Sequence, residues 1–169
     1  CSSDLARLAA ALKQGRTALQ KAGGRVHAQN YWKGIQPHEL ALLQYTGGTT
    51  GVSKGAVISH SNLLHNVQQM LAMGGTHMEP GKECVLTALP IYHIFAFTAN
   101  LLGFLAIGAQ NILIPSPRPV QNLQRAVENY PITWMTGVNT LYNGLLNEEW
   151  FVAYPPRKLK ASIAGGTSL

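Results

Sequence analysis

Leu40-Ala41-Leu42-Leu43-Gln44-Tyr45, running straight into Thr46-Gly47-Gly48-Thr49-Thr50-Gly51-Val52-Ser53-Lys54-Gly55, is the stretch on which the reading of this chain turns. The first six residues form a short apolar run bounded by turn residues, as expected for a buried strand that delivers a loop to a site. From Tyr45 to Gly55 the loop packs four Gly, three Thr, one Ser and one Lys into eleven residues. Glycines allow positive φ and bring backbone N–H groups against an anion, hydroxyls donate further hydrogen bonds, and one lysine supplies a point charge. Hydrogen bonds to a charged group contribute about 1.5 to 3 kcal/mol each, so a few of them hold a polyphosphate. A Walker A loop is excluded, because Ser53 stands where Gly must precede the lysine and Gly55 where the magnesium-binding hydroxyl must follow it. The dinucleotide fingerprint is excluded as well, since the loop contains no Gly-x-Gly.

Downstream, strand and helix patterns alternate. Ala56-Val57-Ile58 is followed by Ser59 and Ser61, candidate caps for a helix over 62–73. Strands are then predicted over 84–89, 111–114, 132–136 and 159–164, with helices over 94–107, 120–129 and 139–146 between them. This order implies an α/β fold whose largely parallel sheet is flanked by helices. Upstream, residues 4–22 place Leu5, Leu8, Ala9, Leu12 and Leu19 at helical spacing. Gly23-Gly24 ends that amphipathic helix, and a linker leads to the sheet. The expected organisation is therefore a basic helix and linker over 1–38, and an α/β domain over 39–169.

The 169 residues are 46% apolar and 12% charged, which excludes a disordered chain and leaves enough apolar surface for a core without disulfide staples. Cys1 and Cys84 are too few for a disulfide scaffold or a cysteine-rich zinc module. The net charge of +6 sits at the ends. Arg7, Lys13, Arg16, Lys21, Arg25 and Lys33 face only Asp4 in the first 33 residues, whereas six glutamates outnumber four basic residues between 34 and 156. A nucleic-acid reader spreads basic and aromatic residues over one surface, so nucleic acid is not an expected partner. The basic leading segment reads as a solvated helix face, with peripheral contact to anionic lipid as the alternative. From Cys84 to Pro117 there is no Lys, Arg, Asp or Glu. The apolar run Ile94 to Ala109 is nevertheless shorter than the roughly 20 residues of a spanning helix and carries Asn100, so it is predicted to be a buried helix.

The loop at Tyr45–Gly55 resembles the phosphate loop of the adenylate-forming superfamily: acyl-CoA synthetases, adenylation domains and luciferases. Together with Thr87-Ala88-Leu89-Pro90-Ile91-Tyr92-His93-Ile94-Phe95 and Thr136-Gly137-Val138-Asn139-Thr140-Leu141-Tyr142, it is similar to the bacterial long-chain fatty acid:CoA ligases over residues 40–169. Ser53 departs from the proline usual in the superfamily. The resemblance implies the central part of a large N-terminal domain. The family's aromatic-Gly-x-Thr-Glu segment, its ribose-binding Asp and the C-terminal domain with its lysine have no match in these 169 residues.

The resemblance also implies roles. A fatty carboxylate attacks the α-phosphate of ATP to give acyl-AMP, and the thiol of coenzyme A then takes the acyl group; ATP, Mg2+ and coenzyme A are the implied ligands. Tyr45, Thr46, Gly47, Gly48, Thr49, Thr50, Gly51, Ser53 and Lys54 would hold the phosphates, with Lys54 also counted as catalytic, and Gly165 and Gly166 would lie against adenine. His93 would stand beside the acyl carboxylate as a donor to developing charge, although a histidine at a helix start also satisfies itself there. Phe97, Gly137 and Val138 would border the acyl chain; Phe95 and Phe97 face either the core or that channel. A cytoplasmic enzyme is expected, peripheral at the inner face of the membrane if the basic segment docks, and homodimeric as a whole. The alternatives are an acyl-AMP ligase or a shorter-chain or aryl synthetase of the same superfamily, a non-catalytic nucleotide-binding module, and a membrane-inserting protein.

Overall fold

The computed structural model describes residues 10, 13–18, 20–21, 23, 34–46 and 54–166, in two units, residues 1–36 and 37–169. In the first unit residues 13–18 are helical, and the Thr17 hydroxyl donates to the carbonyl of Lys13 at 3.0 Å. The apolar positions Leu5, Leu8, Ala9, Leu12 and Leu19 of the expected amphipathic helix lie outside the described residues.

The second unit is built on four parallel strands in the order β4-β3-β5-β6: β3 (Cys84–Thr87), β4 (Gln110–Leu113), β5 (Trp134–Gly137) and β6 (Ala161–Ala164). Val85 pairs with both Asn111 and Trp134, and Trp134 with Ala161, so the strand ends are nearly level. The chain leaves β3 to one side for β4 and then crosses to the other side for β5. With right-handed crossovers, this puts the first connecting helix on one face and the later ones on the other. The period-2 alternation of the strands matches. Cys84, Leu86, Ala88 and Met135 pack with Leu123, Val127 and Leu145 of the later helices, whereas Val85 and Trp134 pack with Met78 and Phe104. All four residues of β3 and of β5 are buried, as expected for strands covered on both faces.

Helix His60–Gly74 starts at a capping box: the Asn62 N–H donates to Ser59 Oγ, and the Ser59 N–H donates to Asn62 Oδ1. Ser59 is thus the cap. Ser61, the second candidate, lies inside the helix with its hydroxyl 3.1 Å from His65 Nδ1. The stretch predicted as one α-helix over 94–107 is a π-helix, Ala96–Gly103, continued by Phe104–Ala106. It is buried along Ala96, Ala99, Asn100, Gly103 and Phe104. Among the described residues no helix is long and apolar enough to cross a membrane. Helix Asn139–Leu146 has the predicted bounds; residues 120–129 split into a 3-10 turn, Val120–Leu123, and helix Gln124–Asn129. The short helix Glu149–Ala153 carries no capping signal, and the sequence gives no warning of it.

One expectation is corrected. Leu40–Tyr45 is not a buried strand of the parallel sheet. β1 (Leu40–Thr46) pairs antiparallel with β2 (Lys54–Ser59) in a separate two-stranded ribbon. Leu40, Leu43, Tyr45 and Val57 are each about half exposed or more. The apolar run misleads because sequence periodicity reports side-chain type, and among the described residues nothing covers the ribbon's outer face.

The N-terminal edge of the sheet is closed by a buried carboxylate. Glu83, with no exposed side-chain surface, accepts hydrogen bonds from Lys160 Nζ at 2.7 Å, the Glu79 N–H at 2.7 Å, the Thr133 hydroxyl at 2.6 Å and Trp134 Nε1 at 2.9 Å. Burial pushes the Glu83 pKa up, but Lys160, the Thr133 hydroxyl and the Glu79 N–H together bring it below the usual carboxylate value. Lys160 also reaches Glu79 Oε1 at 2.8 Å, and Lys82 reaches Glu79 Oε2 at 2.9 Å; their two ammonium groups lower the Glu79 pKa to about 2.

Candidate functional site

Ligands of open α/β sheets collect outside the C-terminal ends of the strands, where the strand order reverses. Here the reversal lies between β3 and β5, and the loops leaving these strands carry two of the predicted site motifs. After β3 comes Pro90-Ile91-Tyr92-His93. The His93 N–H donates to the Pro90 carbonyl at 3.0 Å, and the Phe97 N–H to the His93 carbonyl at 2.9 Å, so His93 opens the helical segment. Its ring is exposed, and Nδ1 accepts the Phe95 N–H at 3.3 Å. An accepting Nδ1 fixes the neutral ring as the tautomer with its proton on Nε2, leaving one N–H to point at a ligand.

After β5, Gly137 is buried against Tyr142 and Leu141; a Cβ there would sit 3.0 Å from the Tyr142 ring. The Tyr142 hydroxyl lies 3.2 Å from the Met135 carbonyl of β5 and 3.0 Å from the Ile163 carbonyl of β6, and burial pushes its pKa up to about 12. This ties the start of helix Asn139–Leu146 to both strands and fixes Val138. After β6, the Gly165 N–H donates to the Gly137 carbonyl at 3.2 Å. A Cβ on Gly165 would meet the Phe95 ring at 3.4 Å, and one on Gly166, whose φ is +82°, would meet Val138 at 4.0 Å. His93, Gly137, Val138, Gly165 and Gly166 therefore converge on one end of the sheet. Phe95, read beforehand only as core or channel, is the aromatic that covers Gly165. Phe97 is half-buried in the π-helix.

Beneath these loops lies a polar network. Asn100 is fully buried; its Nδ2 donates to the Thr87 hydroxyl at 2.7 Å, and its Oδ1 accepts the Thr136 hydroxyl at 2.9 Å. Thr87 in turn donates to Asn111 Oδ1 at 2.8 Å, and Asn111 Nδ2 donates back to the Asn100 carbonyl at 3.0 Å. One residue of the π-helix, through its side chain to β3 and β5 and its carbonyl to β4, thus ties the three strands together just where these loops depart, and π-helical turns recur at functional sites. Sequence reasoning took Asn100 only as an argument against a membrane span. Its signal was a lone amide in a stretch without charge.

Beside the network opens a cavity of about 720 Å3. Its wall is formed by Leu89, Pro90 and Tyr92 after β3, Ile114, Pro117 and Arg118 after β4, and Val138, Thr140 and Leu141 after β5. That volume suits a small-molecule ligand.

The loop expected to hold phosphates lies between the two strands of the ribbon. Thr46 and Lys54 are register partners at the open end of β1 and β2, which bounds the seven residues 47–53 between two paired strands. Gly47, Gly48, Thr49, Thr50, Gly51 and Ser53 lie outside the described residues. The Tyr45 ring packs against Gly55, where a Cβ would lie 3.5 Å from it. Among the described residues no three His, Cys, Asp or Glu side chains converge on a metal position.

These elements define an α/β protein with a parallel sheet whose strand order reverses between β3 and β5, and with a cavity among the loops at the C-terminal end of its strands. The family model for AMP-binding enzymes matches residues 4–169, and the chain belongs to that family. It is 52% identical over 132 residues to the long-chain-fatty-acid–CoA ligase of Escherichia coli O6:H1, an alignment covering 78% of this chain and 24% of that protein. Among solved structures it is similar to ATP-bound MatB from Rhodopseudomonas palustris (TM-score 0.64, 28% identity, 78% of this chain and 25% of that one). It is also similar to o-succinylbenzoate CoA synthetase from Bacillus subtilis in complex with its acyl-adenylate (TM-score 0.68, 25% identity, 79% and 26%). The chain spans about a quarter of the length of the curated relatives it matches.

Proposed function

We propose that the chain is the nucleotide- and acyl-binding part of a long-chain fatty acid:CoA ligase, an enzyme that activates a fatty carboxylate with ATP and passes the acyl group to coenzyme A. The observation that carries this reading is the convergence of His93, Val138 and Gly165-Gly166 at the strand-order reversal, in a member of the AMP-binding family.

In the first step a carboxylate oxygen bonds to the α-phosphorus of ATP while the bond from that phosphorus to the bridging oxygen breaks, and pyrophosphate leaves. In the second, the thiolate of coenzyme A bonds to the acyl carbon and AMP departs with the electron pair. Both steps move negative charge over fixed oxygens, so positioned donors do most of the work. Thr46, Gly47, Gly48, Thr49, Thr50, Gly51, Ser53 and Lys54 hold the β- and γ-phosphates, with Tyr45 at the loop's edge. His93 donates Nε2–H to the carboxylate or the α-phosphate, and its Nδ1 bond to the Phe95 N–H keeps that proton on the outer nitrogen. Phe97, Gly137 and Val138 border the acyl chain, and Gly165 and Gly166 lie against adenine. ATP arrives with Mg2+ as counter-ion. Cytoplasmic residence, lipid contact through the basic first segment and a homodimeric whole enzyme belong to the same reading; vesicle flotation and sedimentation test the last two.

Calorimetric titration of the chain with ATP is the first test. Saturable binding weakened about ten-fold in Lys54→Ala is expected; no binding, or binding indifferent to Lys54, overturns the nucleotide reading. Replacing the matching segment of the Escherichia coli relative with residues 40–166 tests the acyl part. Retained long-chain acyl-CoA synthesis supports it, whereas a soluble chimera that accepts only short or aryl acids favours the shorter-chain alternative.

A further inference from the structure

The cavity beside the site carries one charge. Of the side chains that line it, only Arg118 is ionic, and the wall around it is largely aliphatic and proline-rich. The turn that presents Arg118 is pinned. Asn122 Nδ2 donates to the carbonyls of Ser116 and Arg118 at 2.8 and 3.2 Å, the Ser116 hydroxyl donates to the Arg118 carbonyl at 3.1 Å, and the Asn122 N–H holds the Pro119 carbonyl at 3.1 Å. The guanidinium itself makes no hydrogen bond or ion pair with any described residue. A fixed backbone and an unengaged cation at the rim of an apolar cavity suit a ligand with a flexible, mostly apolar arm and an anionic end.

The acyl chain does not supply that anion. In the reading above its one charge is the carboxylate, which reacts beside His93, and its tail is hydrocarbon. A 4′-phosphopantetheine arm has the required polarity: a thiol that must reach the acyl carbon at one end and a phosphate at the other. The guanidinium fork matches phosphate oxygens in two parallel hydrogen bonds. Tyr92 and Thr140, on the same wall, are polar partners for the arm's two amides. Val138 lines the cavity and borders the acyl position, which is where thiol and acyl carbon must meet.

We propose that Arg118 is the phosphate-recognition residue for a 4′-phosphopantetheine arm that enters this cavity thiol first. The proposal rests on the reading of the chain as an acyl-activating enzyme and assigns to it a residue that selects the acyl acceptor. Coenzyme A and a phosphopantetheine-bearing carrier protein present the same arm.

The test is a set of titrations of the 169-residue chain with pantetheine, 4′-phosphopantetheine, coenzyme A and a phosphopantetheine-bearing carrier protein. Each is repeated with Arg118→Gln and Arg118→Lys. The expected result is that 4′-phosphopantetheine binds about ten-fold more tightly than pantetheine. Arg118→Gln should abolish that difference, and Arg118→Lys should keep part of it. The coenzyme A and carrier-protein arms identify which source supplies the group. Equal affinity for phosphorylated and unphosphorylated arms, discrimination that survives Arg118→Gln, or no binding of any arm overturns the assignment. ATP titrated into the same preparations keeps the two readings apart: ATP binding without phosphate discrimination removes only the role of Arg118, and loss of ATP binding removes the nucleotide reading itself. Arg118 is exposed and its turn is held by backbone carbonyls, so both variants should unfold at the midpoint of the parent chain.

Discussion

The two ends of the four-stranded sheet are built on opposite plans. At the N-terminal end Glu83 is enclosed by four donors from Glu79, Thr133, Trp134 and Lys160, every one at 2.9 Å or less. At the C-terminal end polar groups face outward: His93 is exposed, the Arg118 guanidinium has no partner among the described residues, and a cavity of about 720 Å3 is lined by the loops after β3, β4 and β5. A closed network at that end, around Asn100, lies one layer below the loops. Stability and binding are thus separated along the strand direction. The end that satisfies its own polar groups holds the fold, and the end that leaves them free has donors to offer a ligand.

The largest effect should come from opening the closed end. Glu83→Ala leaves the Trp134 Nε1–H and the Glu79 N–H without an acceptor, leaves the Thr133 hydroxyl only the Cys84 carbonyl at 3.2 Å, and should lower unfolding free energy by about 3 kcal/mol, read by urea denaturation. A loss below 1 kcal/mol would mean that this end is no more strongly braced than the other. Next, Asn100→Leu takes the donor from the Thr87 hydroxyl and the acceptor from the Thr136 hydroxyl and should cost about 2 kcal/mol by the same measurement. If the closed layer under the site is what aims the loops, the same variant should weaken ATP binding too.

A smaller and graded effect should follow pH. The Glu79 carboxyl, at about 2 in the folded chain against 4.5 in the unfolded one, contributes stability that is complete above 4.5 and is lost as pH falls toward 2. The lowered pKa of Glu83 has the same sign. Thermal midpoints should therefore fall steadily across that interval, and tryptophan fluorescence should change with them because Trp134 donates to Glu83. Flat midpoints from pH 5 to pH 3 would count against the brace. The smallest stability effect should come from the open end: His93→Ala should move the unfolding free energy by less than about 0.5 kcal/mol while reducing ATP-dependent acyl activation in the Escherichia coli chimera.

The same contrast explains what was legible. Patterns resting on local chemistry are readable: the cap at Ser59, helix Asn139–Leu146, and the alternation that gives a parallel sheet. Glu83 and Lys160 gave no such signal, because they are 77 positions apart and meet only when β3 and β6 are brought to the same edge by β5. Asn100 was visible as an oddity, but its partners on three strands were not. Leu40–Tyr45 was read as buried and is not, since burial depends on what packs over a strand as well as on its own side chains.

By itself, then, the sequence determined the class of fold and the three motifs through which the family is recognised, because each is a property of neighbouring residues. Only the tertiary structure decided that His93, Val138 and Gly165-Gly166 lie at the same end of the sheet, that residues 47–53 are bounded by an antiparallel ribbon apart from the main sheet, and that a lone arginine rims an apolar cavity. These depend on strand order and crossover direction, which bring together residues dozens of positions apart and leave no trace in local spacing.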